Sequence, residues 1–252
     1  MANTNYHTHT YRCRHALGKD EEFVLNAITA GYTIFGFSDH CPFVFGSDER
    51  DFYRMPISEL PDYLSSIKQL REKYKNELCI YLGVEAEYLP DRIAWLRKLK
   101  EEHLDFLVFG NHYHKRINSS TYFGMNWEGM ITSYLDDSYQ AISSGLYDLY
   151  AHPDLFLGGF IGIDKVLDDA LEKICQWSKE FDIPLEYNLT GYVGGRKYPS
   201  NRLFQLAAKY QAPVMVSGDF HYASEVLNIK LYQERKETLR ALGCRVIEEL
   251  KL

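Results

Sequence analysis

No Cys-x-x-Cys pair, no Gly-x-Gly-x-x-Gly fingerprint and no apolar run of bilayer-spanning length occur in this 252-residue sequence. Each absence removes a class. The five cysteines (Cys13, Cys41, Cys79, Cys175 and Cys244) are odd in number and follow no signal peptide, so a disulfide scaffold is not expected. The reading is a reduced, cytoplasmic chain without a membrane partner. Lacking a glycine fingerprint after any strand, the chain is a poor fit to an open dinucleotide-binding sheet. Positive charge is not in excess either. A net charge of −7 and a pI near 5.7 argue against a broad nucleic-acid surface, yet leave room for a small phosphate ester held by a few local cations. No linker rich in Pro, Gly or Ser divides the chain and no repeat is visible, so residues 1–252 are read as one domain.

What is present is alternation. Apolar, β-branched or aromatic runs predict strands near Asn3–His7, Thr33–Ser38, Cys79–Glu85, Phe106–Gly110, Leu146–Ala151, Ile183–Tyr187 and Pro213–Ser217. Between them, helical spacing such as Leu60, Tyr63, Leu64, Ile67, Leu70, Tyr74 predicts Glu21–Ala30, Ile57–Tyr74, Ile93–His103, Met130–Ser143, Ile163–Phe181, Asn201–Tyr210 and Glu225–Leu242. About seven strand-then-helix units imply an α/β fold with a buried parallel sheet, and one barrel is favoured over two small domains.

The polar residues fall in one place relative to this pattern. Eight of the nine histidines follow predicted strand ends, the exception being His103. His7 and His9 share a side of the first strand by parity. His15 follows them, and Asp39-His40, Glu85-Ala-Glu87, His112-Tyr-His114, His152-Pro-Asp154 and Asp219-Phe-His221 close later strands. A parallel barrel brings strand C-termini to a single mouth, so these side chains are expected to converge as a multi-metal site. Glu85 ends an apolar strand, where a lone carboxylate is costly to bury and a cation offsets the cost. Asp39 is read as orienting a ligand, Glu87 as a second ligand or a salt-bridged rim residue, and Cys13 and Cys41 as small packing groups.

Taken together, His7-x-His9-Thr with Cys13-x-His15-Ala, Asp39-His40-Cys-Pro, Gly83-Val-Glu85, Asn111-His112-Tyr, Ala151-His152-Pro-Asp154, Asn188-Leu-Thr-Gly191 and Ser217-Gly-Asp219-Phe-His221 resemble the polymerase and histidinol phosphatase (PHP) superfamily, and within it the histidinol-phosphate phosphatase branch. The resemblance implies a distorted (β/α)7 TIM-like barrel carrying three divalent ions, zinc, iron or manganese. It implies His7, His9, Glu85 and Asp219 around the first, a bridging Glu85 with His112 and His152 at the second, and His15, His40 and His221 at the third. It also implies an arginine on the substrate phosphate. That arginine is displaced here into Gly194-Gly-Arg196-Lys197, making Arg196 the first choice and Lys197 the second.

The expected reaction is hydrolysis of L-histidinol phosphate to L-histidinol and phosphate by a metal-bridging hydroxide, in histidine biosynthesis. Glu85, Asp219 and His221 are the expected catalytic residues, with Asp219 one possible proton source for the leaving group. Arg54 and His114 are expected near the substrate, Arg12 and Arg14 stand in reserve, and the His112–His114 stretch and the Trp127 loop are expected to shape the alcohol pocket. The alternative is a phosphoesterase of the same family acting on another small ester or nucleotide. A two-metal amidohydrolase is disfavoured because Glu85 and His112 stand where its strand-end lysine belongs.

Overall fold

The computed structural model describes residues 2–43, 52–114 and 120–252. In chain order its strands are β1 (Thr4–Asn5), β2 (Ile34–Phe37), β3 (Cys79–Ala86), β4 (Phe106–Gly110), β5 (Tyr113–His114), β6 (Ser120–Thr121), β7 (Leu149–Ala151), β8 (Leu185–Asn188), β9 (Pro213–Ser217) and β10 (Arg245–Val246). Its helices are α1 (Asp20–Ala30), α2 (Leu60–Lys73), α3 (Ile93–His103), α4 (Met130–Ser143), α5 (Lys165–Phe181), α6 (Leu189–Val193), α7 (Asn201–Tyr210) and α8 (Ile229–Ala241). Eight strands form one parallel sheet in the order β1-β2-β3-β4-β7-β8-β9-β10, and β5 and β6 make a separate antiparallel hairpin.

The sheet curls until its ends meet. At the C-terminal end, His9 N donates to Phe220 O at 2.9 Å and Phe220 N to His7 O at 3.3 Å. At the opposite end β10 pairs with β9, Arg245 opposite Pro213, and the tail reaches back to β1, where Leu250 N donates to the Tyr6 hydroxyl at 3.4 Å. A distorted TIM-like barrel in one α/β domain is therefore borne out. Its sheet has one strand more than the seven read from sequence. Arg-Val is too short a run to announce itself, and its pairing is decided by β9 rather than by its own pattern.

Strand alternation separates two apolar layers. Ile34, Phe106, Val108, Leu149 and Met215 fill the inside of the barrel floor with Tyr6, while Phe35, Phe37, Leu82, Val84 and Phe109 face the helices. Gly36 and Gly83 make room for one ring. A Cβ on Gly83 would stand 2.7 Å from the Phe106 ring, and one on Gly36 would stand 2.9 Å from that ring and from Tyr6 Cα.

The helices bury the faces their spacing predicts, Leu60, Tyr63, Ile67 and Leu70 on α2 and Leu167, Leu171, Ile174 and Cys175 on α5. Three start later than expected: α2 follows a 3-10 turn over Ile57–Glu59, and in the other two side-chain caps set the boundary. Asp164 accepts from Leu167 N at 3.0 Å, and Asn228 accepts from Leu231 N at 3.4 Å after a 3-10 turn over Ala223–Leu227. Among the described residues, no helix is long and apolar enough to cross a membrane.

Candidate metal centre and cavity

Above the apolar floor, the same inward rows turn polar. Glu85, the last inward residue of β3, is buried at the centre of the mouth. Gly110 at the end of β4 lets it stand there, since a Cβ would fall 2.4 Å from Glu85 Oε1. Around Oε2 lie His40 Nδ1 at 2.9 Å, His7 Nε2 at 3.6 Å and His9 Nε2 at 3.7 Å. Around Oε1 lie His152 Nε2 at 2.9 Å and His112 Nε2 at 3.4 Å. Asp219 Oδ1 is 3.0 Å from His9 Nε2, 3.5 Å from His7 Nε2 and 3.6 Å from His221 Nδ1. The His221 ring lies 4.2 Å from that of His9 and 4.7 Å from that of His15, centre to centre. All nine expected donors are thus at one rim.

Their outer contacts aim the rings. His7 Nδ1 meets Glu186 Oε1 at 2.8 Å, His112 Nδ1 meets Glu87 Oε1 at 2.9 Å, His15 Nδ1 meets Cys13 O at 2.8 Å and His221 Nδ1 meets Asp219 O at 2.9 Å. Each oxygen accepts the Nδ1 proton and leaves the Nε2 lone pair for the cavity, as ligating imidazoles require. Asp39 holds the backbone, accepting from His40 N at 2.7 Å and Thr10 N at 3.2 Å, and lies 3.5 Å from His9 Nδ1. His152 and Asp219 both have positive φ, 31° and 53°. Non-glycine residues at such angles are strained, and here both belong to the donor set.

The donor set fits divalent cations. Glu85 Oε2 is buried and makes no well-aligned hydrogen bond, although His40 Nδ1 lies 2.9 Å away, and His7 Nε2 and His9 Nε2 face each other at 3.2 Å. A buried carboxylate oxygen left without a hydrogen bond is costly, and two imidazole lone pairs at that separation repel unless a proton or cation lies between. Protons alone serve the cluster poorly. Burial would push His7 down, but Glu186, Asp219 and Glu85 push it up to about 10, whereas His40, buried and facing the charge on His9, is pushed down to about 3. Burial would raise Glu85, yet His112, His7 and His40 hold it well below the usual carboxylate range. Closely set donor groups include His7, His9 and Glu85; His40, Glu85 and His112; and His9, His40 and His221. His40 therefore stands beside Glu85 as well as beside its expected partner His221.

The mouth opens into a cavity of about 710 Å³ walled by Tyr53, Arg54, Phe123, Arg196, Tyr198 and Glu225. The Arg196 guanidinium sits 5.2 Å from the Phe123 ring centre and 5.6 Å from that of Tyr198, and it donates to the Tyr198 hydroxyl. Arg54 also lines the cavity, but its fork is engaged. It donates to both oxygens of Glu87 at 3.0 and 2.9 Å, and to Cys41 O at 3.0 Å. Lys197 and His114 are not among the lining residues. Lys197 donates to Phe160 O, and His114 Nδ1 lies 2.9 Å from Asp137, beside Trp127. Arg12 is locked between Asp20 and Asp62, and Arg14 pairs with Glu59.

A PHP domain model matches residues 5–189. The chain belongs to the PHP domain family. The PHP match takes in His7, His9, His15, His40, Glu85, His112 and His152, and folding adds Asp219 and His221 from beyond it. Among curated relatives, a probable histidinol-phosphatase of Deinococcus radiodurans is 27% identical over 87% of this chain and 86% of its own length. Two crystal structures share the fold. HisK of Listeria monocytogenes, described as a candidate histidinol phosphatase, aligns with a TM-score of 0.73 at 23% identity, over 88% of this chain and 97% of that one. Histidinol phosphate phosphatase of Lactococcus lactis, solved with zinc, L-histidinol and phosphate, aligns with a TM-score of 0.72 at 16% identity, over 98% and 96%.

One part of this PHP site went unread in the sequence and two were read only in part. Glu186 holds His7 Nδ1 and also accepts from His152 N at 2.9 Å and Asn188 Nδ2 at 2.9 Å. Its signal was available, a carboxylate inside the strand Leu185-Glu-Tyr-Asn188, the same anomaly that exposed Glu85. Glu87 is salt-bridged, as one of its two readings had it, but it is buried with Arg54 rather than at the rim and supports His112. Cys13, read as packing, has its sulfur close to nitrogens of His15 and His221, all three within 4.8 Å of one another.

Proposed function

We propose that this chain is a metal-dependent phosphomonoesterase that hydrolyses L-histidinol phosphate to L-histidinol and phosphate. The observation that carries the reading is the buried Glu85 carboxylate ringed by five imidazoles at the floor of a cavity that also holds Arg196. The names of the relatives, and the ligands bound by the Lactococcus lactis enzyme, support the substrate.

Three divalent ions would be held by the sets expected from sequence: His7, His9, Glu85 and Asp219; Glu85, His112 and His152; His15, His40 and His221. Zinc, iron and manganese all suit nitrogen and carboxylate donors. When bound, such ions lower the pKa of coordinated water and neutralise charge on phosphoryl oxygens. The remaining work falls to side chains. Arg196 offers a planar fork to phosphate, and its place against Phe123 and Tyr198 limits the freedom lost on binding. Arg54 acts through Glu87 to fix the His112 ring. Asp219 is held by Asn188 Nδ2 at 3.0 Å, and although burial would raise its pKa, His7 and His9 keep it well below the carboxylate range. At neutral pH it is therefore ionised and has no proton to give to the leaving alkoxide. The enzyme works in a reducing cytoplasm on a small ester, in histidine biosynthesis, with its five cysteines free.

The test is phosphate release by purified, metal-reconstituted protein from L-histidinol phosphate, p-nitrophenyl phosphate and a dinucleotide. The reading expects kcat/KM to be highest for L-histidinol phosphate. Turnover of p-nitrophenyl phosphate without histidinol phosphate would keep the chemistry and remove the substrate.

A further inference from the structure

The cavity wall carries one acid that neither the metal cluster nor the fold's ion pairs account for. Glu225 lines the cavity next to His221, and both backbone amides there, His221 N and Tyr222 N, donate to its Oε2 at 2.9 Å. These two bonds fix the carboxylate and leave Oε1 without a donor among the described residues. No lysine, arginine or histidine of the described residues forms an ion pair with it, although most other carboxylates near the mouth have one. It also belongs to none of the closely set metal-donor groups of the described residues, so it is not placed as a ligand. An anchored, half-buried and unpaired carboxylate facing a cavity is a cation acceptor. With Arg196 also on the wall and Arg54 taken by Glu87, the described wall residues offer a cation and an acid beside the cluster.

We propose that Glu225 is a specificity residue that binds the protonated amine of the substrate, so that the cavity selects phosphate esters of amino alcohols over uncharged esters. This rests on the phosphomonoesterase reading above and deepens it. In histidinol phosphate the ammonium is two carbons from the ester oxygen, so a phosphate at the cluster keeps the ammonium inside the cavity that Glu225 lines. The bond is charge-assisted and partly shielded from water, and its loss costs roughly ten- to a hundredfold in kcat/KM.

The experiment compares wild type with Glu225→Gln, which can still accept from the two amides, on three substrates. These are L-histidinol phosphate, its analogue lacking the amine (3-(imidazol-4-yl)propyl phosphate), and p-nitrophenyl phosphate. Wild type should prefer the amine-bearing ester over the deaminated one, and the variant should lose that preference about tenfold or more, mainly through KM. Equal losses on both esters, or none, would overturn the proposal. So would a fall in metal content, which would make Glu225 a support of the cluster. If wild type hydrolyses p-nitrophenyl phosphate but not histidinol phosphate, the substrate reading fails by itself. Glu225 is then judged on 2-aminoethyl phosphate against ethyl phosphate, where the same loss of preference is required.

Discussion

The floor and the mouth of the barrel are built from the same strands and the same inward-facing rows, yet they obey opposite rules. Below, Phe106, Val108, Leu149 and Met215 pack as an ordinary core, and two glycines yield space to one aromatic ring. Above, further along the chain toward the mouth, Glu85, His152, Glu186 and Asp219 are also buried, and they contact one another and the histidines around them. The floor is stabilised by the protein alone. The mouth is a set of charges whose mutual contacts leave acceptors unpaired, and it is completed from outside. Stability and function are therefore divided along the barrel axis, and substitutions at the two levels should fail in different ways.

The largest effect should come from the centre of the mouth. Glu85→Gln removes the shared carboxylate, and we expect loss of at least one bound ion per chain with a fall in kcat/KM of about a thousandfold or more. Elemental analysis and phosphate release read both. The melting temperature of the metal-free variant should stay within about 3 °C of metal-free wild type, because a costly buried charge leaves with the ligand. Matching losses in metal-free stability and in activity would erase the division.

At the floor, Phe106→Ala should cost about 3–5 kcal/mol in urea unfolding, since neither Gly36 nor Gly83 has a side chain to fill the void. Metal content of the folded protein should remain that of wild type. Metal loss here would mean that the two levels are coupled.

Smaller effects sharpen the boundary. Arg54→Ala frees Glu87 and loosens His112, and should lower metal affinity or turnover by about ten- to a hundredfold, whereas a direct phosphate role would appear as a rise in KM alone. Glu87 also gives a pH signature. Burial would raise its pKa, but Arg54 and His112 bring it down to about 2. A depressed carboxyl stabilises the fold above its unfolded pKa, so that contribution is full above about pH 4.5 and is lost as pH falls through about 2. Wild type and Glu87→Gln, both metal-free, should differ most in urea midpoint above pH 4.5 and converge below it. A constant gap would assign the cost to lost packing.

Much of this was legible in residue order. The ends of β4 and β9 and the bounds of α3, α4 and α7 follow directly from apolar period, and the nine donors follow from histidines placed just after strands. What escaped has a physical reason in each case. The pairing of β10 is set by β9, and the short α6 is held by Asn188 accepting from Gly191 N at 2.7 Å, a local bond that leaves no apolar period in the sequence. Which cation meets phosphate also depends on neighbours far away in sequence. Arg12, Arg14 and Arg54 all stand close to donors along the chain, and each is taken by an acid 8 to 50 positions away. Arg196, separated from every donor in sequence, reaches the cavity.

Anomalous diffraction at the zinc edge, from crystals of zinc-loaded protein, tests the division most directly. The account predicts peaks at the mouth, at about 2.0–2.2 Å from Glu85 and from the Nε2 atoms of His7, His9, His112 and His152. A mouth without anomalous density, in protein that still releases phosphate from L-histidinol phosphate, would contradict it.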